Sequence, residues 1–251
     1  MNNLNVTIVT VCFNADKTIE STIKSVLSQS YKNIEYIIVD GKSTDNTLKI
    51  VNKYKKDISK IISEKDKGLY DAMNKGVKFA KGQIIYFLNA DDVFVDNFVV
   101  ENVIKEFNEG LDFVYGDVLF YYPEENKKVK ITRLVSLNQL KKGNMPPHQG
   151  TFVKRDLLVK FPFDTSYKSS ADFDFFCKII LDRANGKKID KIIAQNTCGG
   201  VSSGVISYIE TEKIVLKYFG YFWYFGLQLK HFIFRFSKFL FKKSRIKFHL
   251  G

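Results

Sequence analysis

The sequence predicts an α/β fold in which a mostly parallel sheet is flanked by helices. Over the first ninety residues, strand-like apolar runs alternate with helix-like amphipathic segments. That alternation is the pattern of a parallel sheet with both faces covered. The strand-like runs are dense in Val and Ile, as fully buried strands are. Acidic residues stand where these strands end, at Asp40, Glu64, Asp66, Asp91 and Asp92. In sheets of this kind ligands bind beyond the carboxyl ends of the strands.

The elements follow in order. Residues 6–12 (VTIVTVC) form the first strand, and residues 15–29 place Ile19, Ile23, Val26 and Leu27 at helical spacing. Residues 34–40 (IEYIIVD) are a second strand. Residues 43–54 open with capping types, STDN, and continue as a helix. A weaker third strand is expected over 58–63. A helix is expected over 68–82, bracketed by Gly68 and Gly76 and closed by Gly82. The fourth strand, 83–89, runs directly into Asp91 and Asp92. Beyond it, residues 113–122 read as a strand with a break at Gly116, and 141–150 as a Gly/Pro loop. Residues 150–161 read as a strand leading into a helix. A last helix, 169–186, carries Phe173, Phe176 and Ile180 on one face.

The net charge of +12 points to an anionic partner, but it is unevenly placed. From Lys213 onward there are nine Lys and Arg and no Asp or Glu, which leaves +3 for the first 212 residues. Cys12, Cys177 and Cys198 are widely spaced, so neither a disulfide framework nor a Cys-rich zinc site is expected, and a cytoplasmic setting fits. The first residues read as a strand, not a signal peptide, and no apolar run reaches the ~20 residues needed to span a bilayer.

The turn after the first strand, CFNADKT, contains no glycine, and no GxxxxGK[ST] occurs. Dinucleotide and P-loop fingerprints are therefore excluded. A nucleotide on this sheet must be held by carboxylates and a metal. Adjacent aspartates after a buried strand suit Mg²⁺ or Mn²⁺, which take oxygen ligands and substrate phosphates together. Neighbouring residues on extended chain point opposite ways, so one of the pair binds metal and the other aims elsewhere. Singly, each acid is also compatible with a turn or cap role.

The stretches VTIVTVCFNADKTIESTIKSVLSQSYKNIEYIIVDGKSTDNT (6–47), SEKDKGLYDAMNKGVKFAKGQIIYFLNADD (63–92), PHQGTF (147–152), SADFDFF (170–176) and GGVSSG (199–204) resemble the family 2 glycosyltransferases of polysaccharide-biosynthesis type. The resemblance implies the Rossmann-like GT-A fold, with a nucleotide-sugar-binding half (1–95), an acceptor-binding half (96–212) and a separate tail (213–251). It implies that Asp40 accepts from the N–H of a uracil base, beside Gly41. It implies that Asp92 is the metal ligand in a DxD-type motif and that Asp91 contacts ribose or sugar. It implies further that Asp66 and Asn74 lie near the nucleotide-sugar and that Asp172 is the general base. Many members read Glu-Asp in that stretch, and this chain has Ala171 in place of the Glu. Asp174 is a second candidate base and His148 a third candidate residue. The activity implied is metal-dependent, inverting transfer of a hexosyl or N-acetylhexosaminyl group from a UDP-sugar, with Mn²⁺ or Mg²⁺, to a saccharide or lipid-linked saccharide.

Ser169-x-x-Asp172 also has the form of a helix capping box, so Asp172 is open to a purely structural reading. A metal-dependent nucleotidyltransferase, or an idle binding module on the same fold, are the competing classes, although the body carries no basic patch for nucleic acid. In the tail, Lys230, Arg235, Lys238, Lys242 and Arg245 recur at helical spacing roughly opposite Leu229, Phe232, Phe236, Phe239 and Leu240. A basic, aromatic amphipathic helix lies in a membrane interface, which would place the protein peripherally on the cytoplasmic face. Packing of the aromatic stretch on the domain is the alternative.

Overall fold

Apolar side chains along the first four strands alternate between two cores. The computed structural model describes residues 4–107, 110–197 and 205–233. Within it β1 (Val6–Cys12), β2 (Ile34–Asp40), β3 (Lys60–Ser63) and β4 (Ile84–Phe87) pair in parallel in the order β3-β2-β1-β4. Val6 and Ile8 enter one core, Val9 and Val11 the other; Tyr86 and Phe87 divide likewise on β4. Side chains alternate across a strand, so a sheet buried on both faces yields the unbroken apolar runs seen in the sequence. Ile19, Ile23 and Val26 of α1 (Ile19–Leu27) and Val51 of α2 (Thr47–Lys53) cover the first face. Tyr70, Met73 and Val77 of α3 (Leu69–Phe79) cover the second.

The helix expected over 68–82 ends earlier, at Phe79, because Ala80 adopts an extended conformation. Gly76 therefore lies inside α3. A Cβ there would come within 2.4 Å of Val9 Cγ1, so the glycine lets α3 sit directly on β1. Gly76→Ala gains helix propensity, about 1 kcal/mol, but forces a stiff β-branched neighbour in a packed core, at about 1–3 kcal/mol. A net fall in urea midpoint is expected; a midpoint equal to or above wild type would contradict this packing.

The second half extends the sheet from β4 through β8 (Thr151–Lys154), β6 (Phe113–Tyr122), β9 (Gly186–Thr197) and β5 (Val93–Phe94), with β7 (Lys127–Ile131) on β6. β8 runs antiparallel to both β4 and β6, whereas β6 and β9 are parallel. The parallel character is thus strongest in the first ninety residues, and the whole sheet is mixed. The strand is continuous through Gly116, and the break there appears in the pairing with β9, whose register shifts between Tyr115 and Asp117 and again between Asp117 and Val118. α4 (Val99–Glu106) and α5 (Leu137–Lys141) join β5, β7 and β9 as elements the sequence pattern does not announce.

α6 (Arg155–Lys160) follows β8 as expected, and α7 (Ala171–Leu181) is buried nearly all round rather than on one face. α8 (Val205–Phe219) and a further helix, α9 (221–233), end the described chain. The tail boundary expected at 212/213 falls inside α8, whose Ile214 and Val215 are fully buried in the second core; Leu227 of α9 is buried there too. The basic run beyond residue 233 and the GGVSSG stretch lie outside the described residues.

Candidate active site

The crevice forms where β1–β4 end. In the strand order, β2 and β3 lie on one side of β1 and β4 on the other, so loops leave a gap at the switch between β1 and β4. Asp40, the last residue of β2, is fully buried at its floor. Its carboxylate accepts from Ser43 N at 3.1 Å, from Ser63 Oγ at 2.7 Å, from the Ser43 hydroxyl, and from Cys12 Sγ at 3.7 Å. Burial pushes the Cys12 thiol far up, with Asp40 adding to it, so Cys12 remains a neutral donor. Two of the donors on Asp40 are freely rotating hydroxyls.

Gly41 follows, and a Cβ on it would stand 2.5 Å from Asp66 Oδ2 and 3.4 Å from the Phe13 ring. Its bare backbone lets the Asp66 carboxylate lie across the loop, where Asp66 Oδ1 accepts from Gly68 N at 2.9 Å. Phe13, directly after β1, is 63 % exposed beside them. An aromatic face standing free at a strand end is a stacking surface for a planar base.

Asp91 and Asp92 follow β4. Thr22 Oγ1 and Thr197 Oγ1 donate to the main-chain carbonyls of Asp92 and Asp91, which pins the turn between α1 and β9. Asp92 is 2 % exposed, and its Oδ2 has no hydrogen-bond partner among the described residues. Burial first, and then the charge of Asp91, hold its carboxyl well above the usual range, with Thr197, Asn89 and Gln149 pulling the other way. Asp91 is half-buried and raised by burial alone. The two therefore differ in environment, as opposed side-chain directions require.

Asp172, in the first turn of α7, is held from three directions. Tyr70 OH donates to Oδ1 at 3.0 Å, Phe173 N donates to Oδ1 at 2.9 Å, and His148 Nδ1 lies 3.1 Å from Oδ2. A carboxylate offers about four acceptor positions, so one on Oδ2 stays free among the described residues. Burial, then the Asp172 charge, raises Tyr70 well above the ordinary phenol range, so Tyr70 is a neutral donor. No capping box forms: the N-cap of α7 is Ser170, which makes no side-chain cap bond. The turn His148–Gly150 joins the two acidic centres, with His148 on Asp172 and Gln149 beside Asp92. Tyr86 OH fixes this turn by donating to the Gln149 carbonyl.

Two expected residues are placed elsewhere. Asn74 spends both ends of its amide on the Phe163 backbone, at 2.8 and 3.0 Å, and clamps α3 to the segment before α7. Asp174, about 200° around the helix from Asp172, is fully buried and paired with Lys178 at 2.7 Å and Lys217 at 3.0 Å, with Tyr218 OH also donating. It ties α7 to α8. Asp174→Asn should cost about 1.5–3 kcal/mol in chemical denaturation, as loss of charged hydrogen bonds does, with UDP affinity unchanged. Phe13 and Tyr70 are the residues the linear pattern does not single out. Their only signals are position: an aromatic just past a strand, and an aromatic in the first turn of a helix whose preceding loop holds Asp66.

Among the described residues no group of three or more His, Cys, Asp or Glu could hold a metal by itself. The unpartnered buried oxygen of Asp92 nevertheless suits a hard cation that takes one or two carboxylates and completes its shell with phosphate and water.

Comparison with known proteins gives the wider frame. The family model for glycosyl transferase family 2 matches residues 7–170. A glucosyltransferase of Escherichia coli described as UDP-Glc:alpha-D-GlcNAc-diphosphoundecaprenol beta-1,3-glucosyltransferase is 33% identical over 188 residues, 72% of each chain. A PGL/p-HBAD biosynthesis glycosyltransferase of Mycobacterium bovis is 29% identical over 202 residues, 77% of each. The S. aureus TarS structure in complex with UDP-GlcNAc superposes with a TM-score of 0.67 at 20% identity, over 84% of this chain and 64% of that one. A mannosyltransferase of Pyrobaculum calidifontis, in complex with GDP-Man and Mn2+, gives 0.64 at 18% identity, over 86% of this chain and 63% of that one. The present chain thus spans somewhat under two thirds of these solved structures, and their likeness bears on the fold.

Proposed function

The chain belongs to glycosyl transferase family 2, and on that footing we propose that it transfers a sugar from a UDP-sugar to a saccharide or lipid-linked saccharide, with inversion, in surface polysaccharide biosynthesis. The observation that carries this reading is the pair of centres joined by residues 148–150: a clamped carboxylate with one free acceptor position, Asp172, and a buried carboxylate with an unpartnered oxygen, Asp92.

Asp172 Oδ2 takes the proton of the acceptor hydroxyl as its oxygen attacks the anomeric carbon. The new C–O bond forms on one face while the bond to the β-phosphate oxygen breaks on the other, so one displacement inverts the centre. His148 and Tyr70 hold the carboxylate in place, so that only the acceptor hydroxyl need find its position. Asp92 would hold a divalent cation, Mn²⁺ or Mg²⁺, which would neutralise the departing diphosphate. Asp91 faces the ribose or sugar. Phe13 stacks on the base, and Asp40 accepts the base N–H once the Ser63 or Ser43 hydroxyl turns aside. Gly41 keeps room for Asp66 beside them.

The exposed aromatic side of α9 supports a peripheral position at the cytoplasmic face of a membrane, where a lipid-linked acceptor would reside. No described helix is long and apolar enough to cross one. Thermal denaturation with UDP and Mn²⁺ tests the donor site: both together should raise Tm by several degrees, and Gly41→Ala, which displaces Asp66, should shrink the rise. No shift with either ligand would defeat the reading.

A further inference from the structure

We propose that Asn196 gives a second protein oxygen to the divalent cation assigned above to Asp92, so that the cation is held between the turn after β4 and the end of β9; the inference rests on that reading of Asp92. Asn196 is 4 % exposed, and its Oδ1 has no hydrogen-bond partner among the described residues. Asp92, buried to the same degree, carries a second unpartnered oxygen, Oδ2. Buried polar atoms are nearly always paired, so two orphaned acceptors in one place call for something positive between them.

The sheet puts them in one place. β5 and β9 are antiparallel, with Val93 opposite Gln195 and Phe94 opposite Ala194. One further step along that ladder sets Asp92 opposite Asn196. The next sets Asp91 opposite Thr197, whose Oγ1 donates to the Asp91 carbonyl at 3.1 Å. Opposed residues share a face, with Cβ atoms about 4.5–5.5 Å apart. That face looks inward, because Ala194, two positions before Asn196, packs in the first core. On β6, Val118 and Phe120 pair with Ala194 and Asn196, and Val118 Cγ1 stands 3.2 Å from where a Gly150 side chain would begin. Asn196 thus lies on the side of the turn 148–150, whose Gln149 faces the Asp92 carboxyl together with Asn89 and the Thr197 backbone. Asn89 Oδ1 is a third buried oxygen without a partner among the described residues.

Carboxylate and amide oxygens are the hard ligands that Mg²⁺ and Mn²⁺ take, with phosphate and water completing the shell. An amide oxygen adds a ligand without adding charge, so Asn196 strengthens the site without the repulsion that a third carboxylate beside Asp91 and Asp92 would bring. Asp92 follows β4 of the first, parallel half of the sheet, and Asn196 ends β9 of the second. A cation shared between them ties the two halves together at the crevice. The competing arrangement is a turned-over amide whose N–H donates to Asp92 Oδ2. It would satisfy the carboxyl with no cation, and it predicts different behaviour from the same variants.

The paramagnetic resonance signal of free Mn²⁺, followed as the full chain is added at saturating UDP, measures cation affinity without turnover. Asn196→Ala should weaken Mn²⁺ binding about tenfold or more, the scale on which lost support of a metal site is felt. Asn196→Asp restores an oxygen and adds a charge, so it should bind Mn²⁺ at least as tightly as wild type. Its metal-free Tm should fall, because two carboxyls then share a buried site, and Mn²⁺ with UDP should bring it back. Gln195→Ala, one position away on the opposite face of β9, should match wild type. The Tm shift produced by UDP in EDTA should be equal in all four proteins. Wild-type Mn²⁺ affinity in Asn196→Ala would overturn the proposal and leave Asp92 as the cation's protein ligand. Weaker binding by Asn196→Asp than by Asn196→Ala would show that the amide N–H is what matters there, and would also overturn it. Absence of Mn²⁺ binding by wild type that UDP still stabilises would remove the cation from Asp92, and this proposal with it, while the nucleotide site stands.

Discussion

Asp172→Asn is expected to lower kcat for sugar transfer by about 10²–10⁴-fold, the usual worth of a positioned general base, with UDP affinity unchanged. Asn is nearly isosteric and keeps an oxygen for Tyr70 OH and Phe173 N, so the fold is spared. What it loses is the ability to take a proton. If chemistry is the slow step, kcat and kcat/KM should fall together. Tyr70→Phe removes one clamp and leaves the base, so its loss should be smaller and confined to kcat. It should leave a buried acceptor on Asp172 less well held, not absent. His148→Gln tests the other clamp. Normal turnover in Asp172→Asn would end its assignment as base, and Asp174 does not replace it, because Lys178, Lys217 and Tyr218 already hold that carboxylate.

Asp92→Asn is expected to abolish metal-dependent transfer and yet to stabilise the metal-free protein. The carboxyl is raised by burial and by Asp91, so the folded state resists its ionisation more than the unfolded state does. A carboxyl with a raised folded pKa costs nothing below its ordinary range near pH 4. Above that range it destabilises the fold increasingly, until pH passes the raised value. The variant has no such penalty, and its amide offers an N–H in place of an unpartnered oxygen. The difference in Tm between variant and wild type should therefore be near zero around pH 4 and grow as pH rises. Mn²⁺ with UDP should reverse the order at neutral pH, because only wild type gains the cation. A Tm difference independent of pH would show that Asp92 carries no buried charge cost.

The two halves of the chain were not equally legible. β1, β2 and their helices follow from local pattern, because each strand there is apolar on both faces and each helix covers a neighbouring strand. β9 is different. Its residues read GKKIDKIIAQNT, more than half of them polar, and it becomes a strand by pairing with β6 across more than seventy residues. A segment whose partner is that remote leaves little local periodicity. α7 misleads for the opposite reason: wrapped on all sides, it has no polar stripe by which a face could be recognised. The membership in glycosyl transferase family 2 removes the nucleotidyltransferase alternative, which depended on carboxylates and a metal at the end of the sheet.

By itself the sequence determined the fold class, the first four strands, the crevice at their ends and the acids placed there. Each of these depends on a residue's own type and its near neighbours along the chain. Only the tertiary structure decided which acids have which environment. Asp172 and Asp174 are two residues apart and alike in linear context, yet Tyr70 and His148 clamp one while Lys217 neutralises the other. Asn74 is likewise engaged by the Phe163 backbone, while Phe13 stands exposed beside Gly41 and Asp66. A side chain's chemistry is set by burial and by the groups that face it, and those groups come from segments far away in the chain.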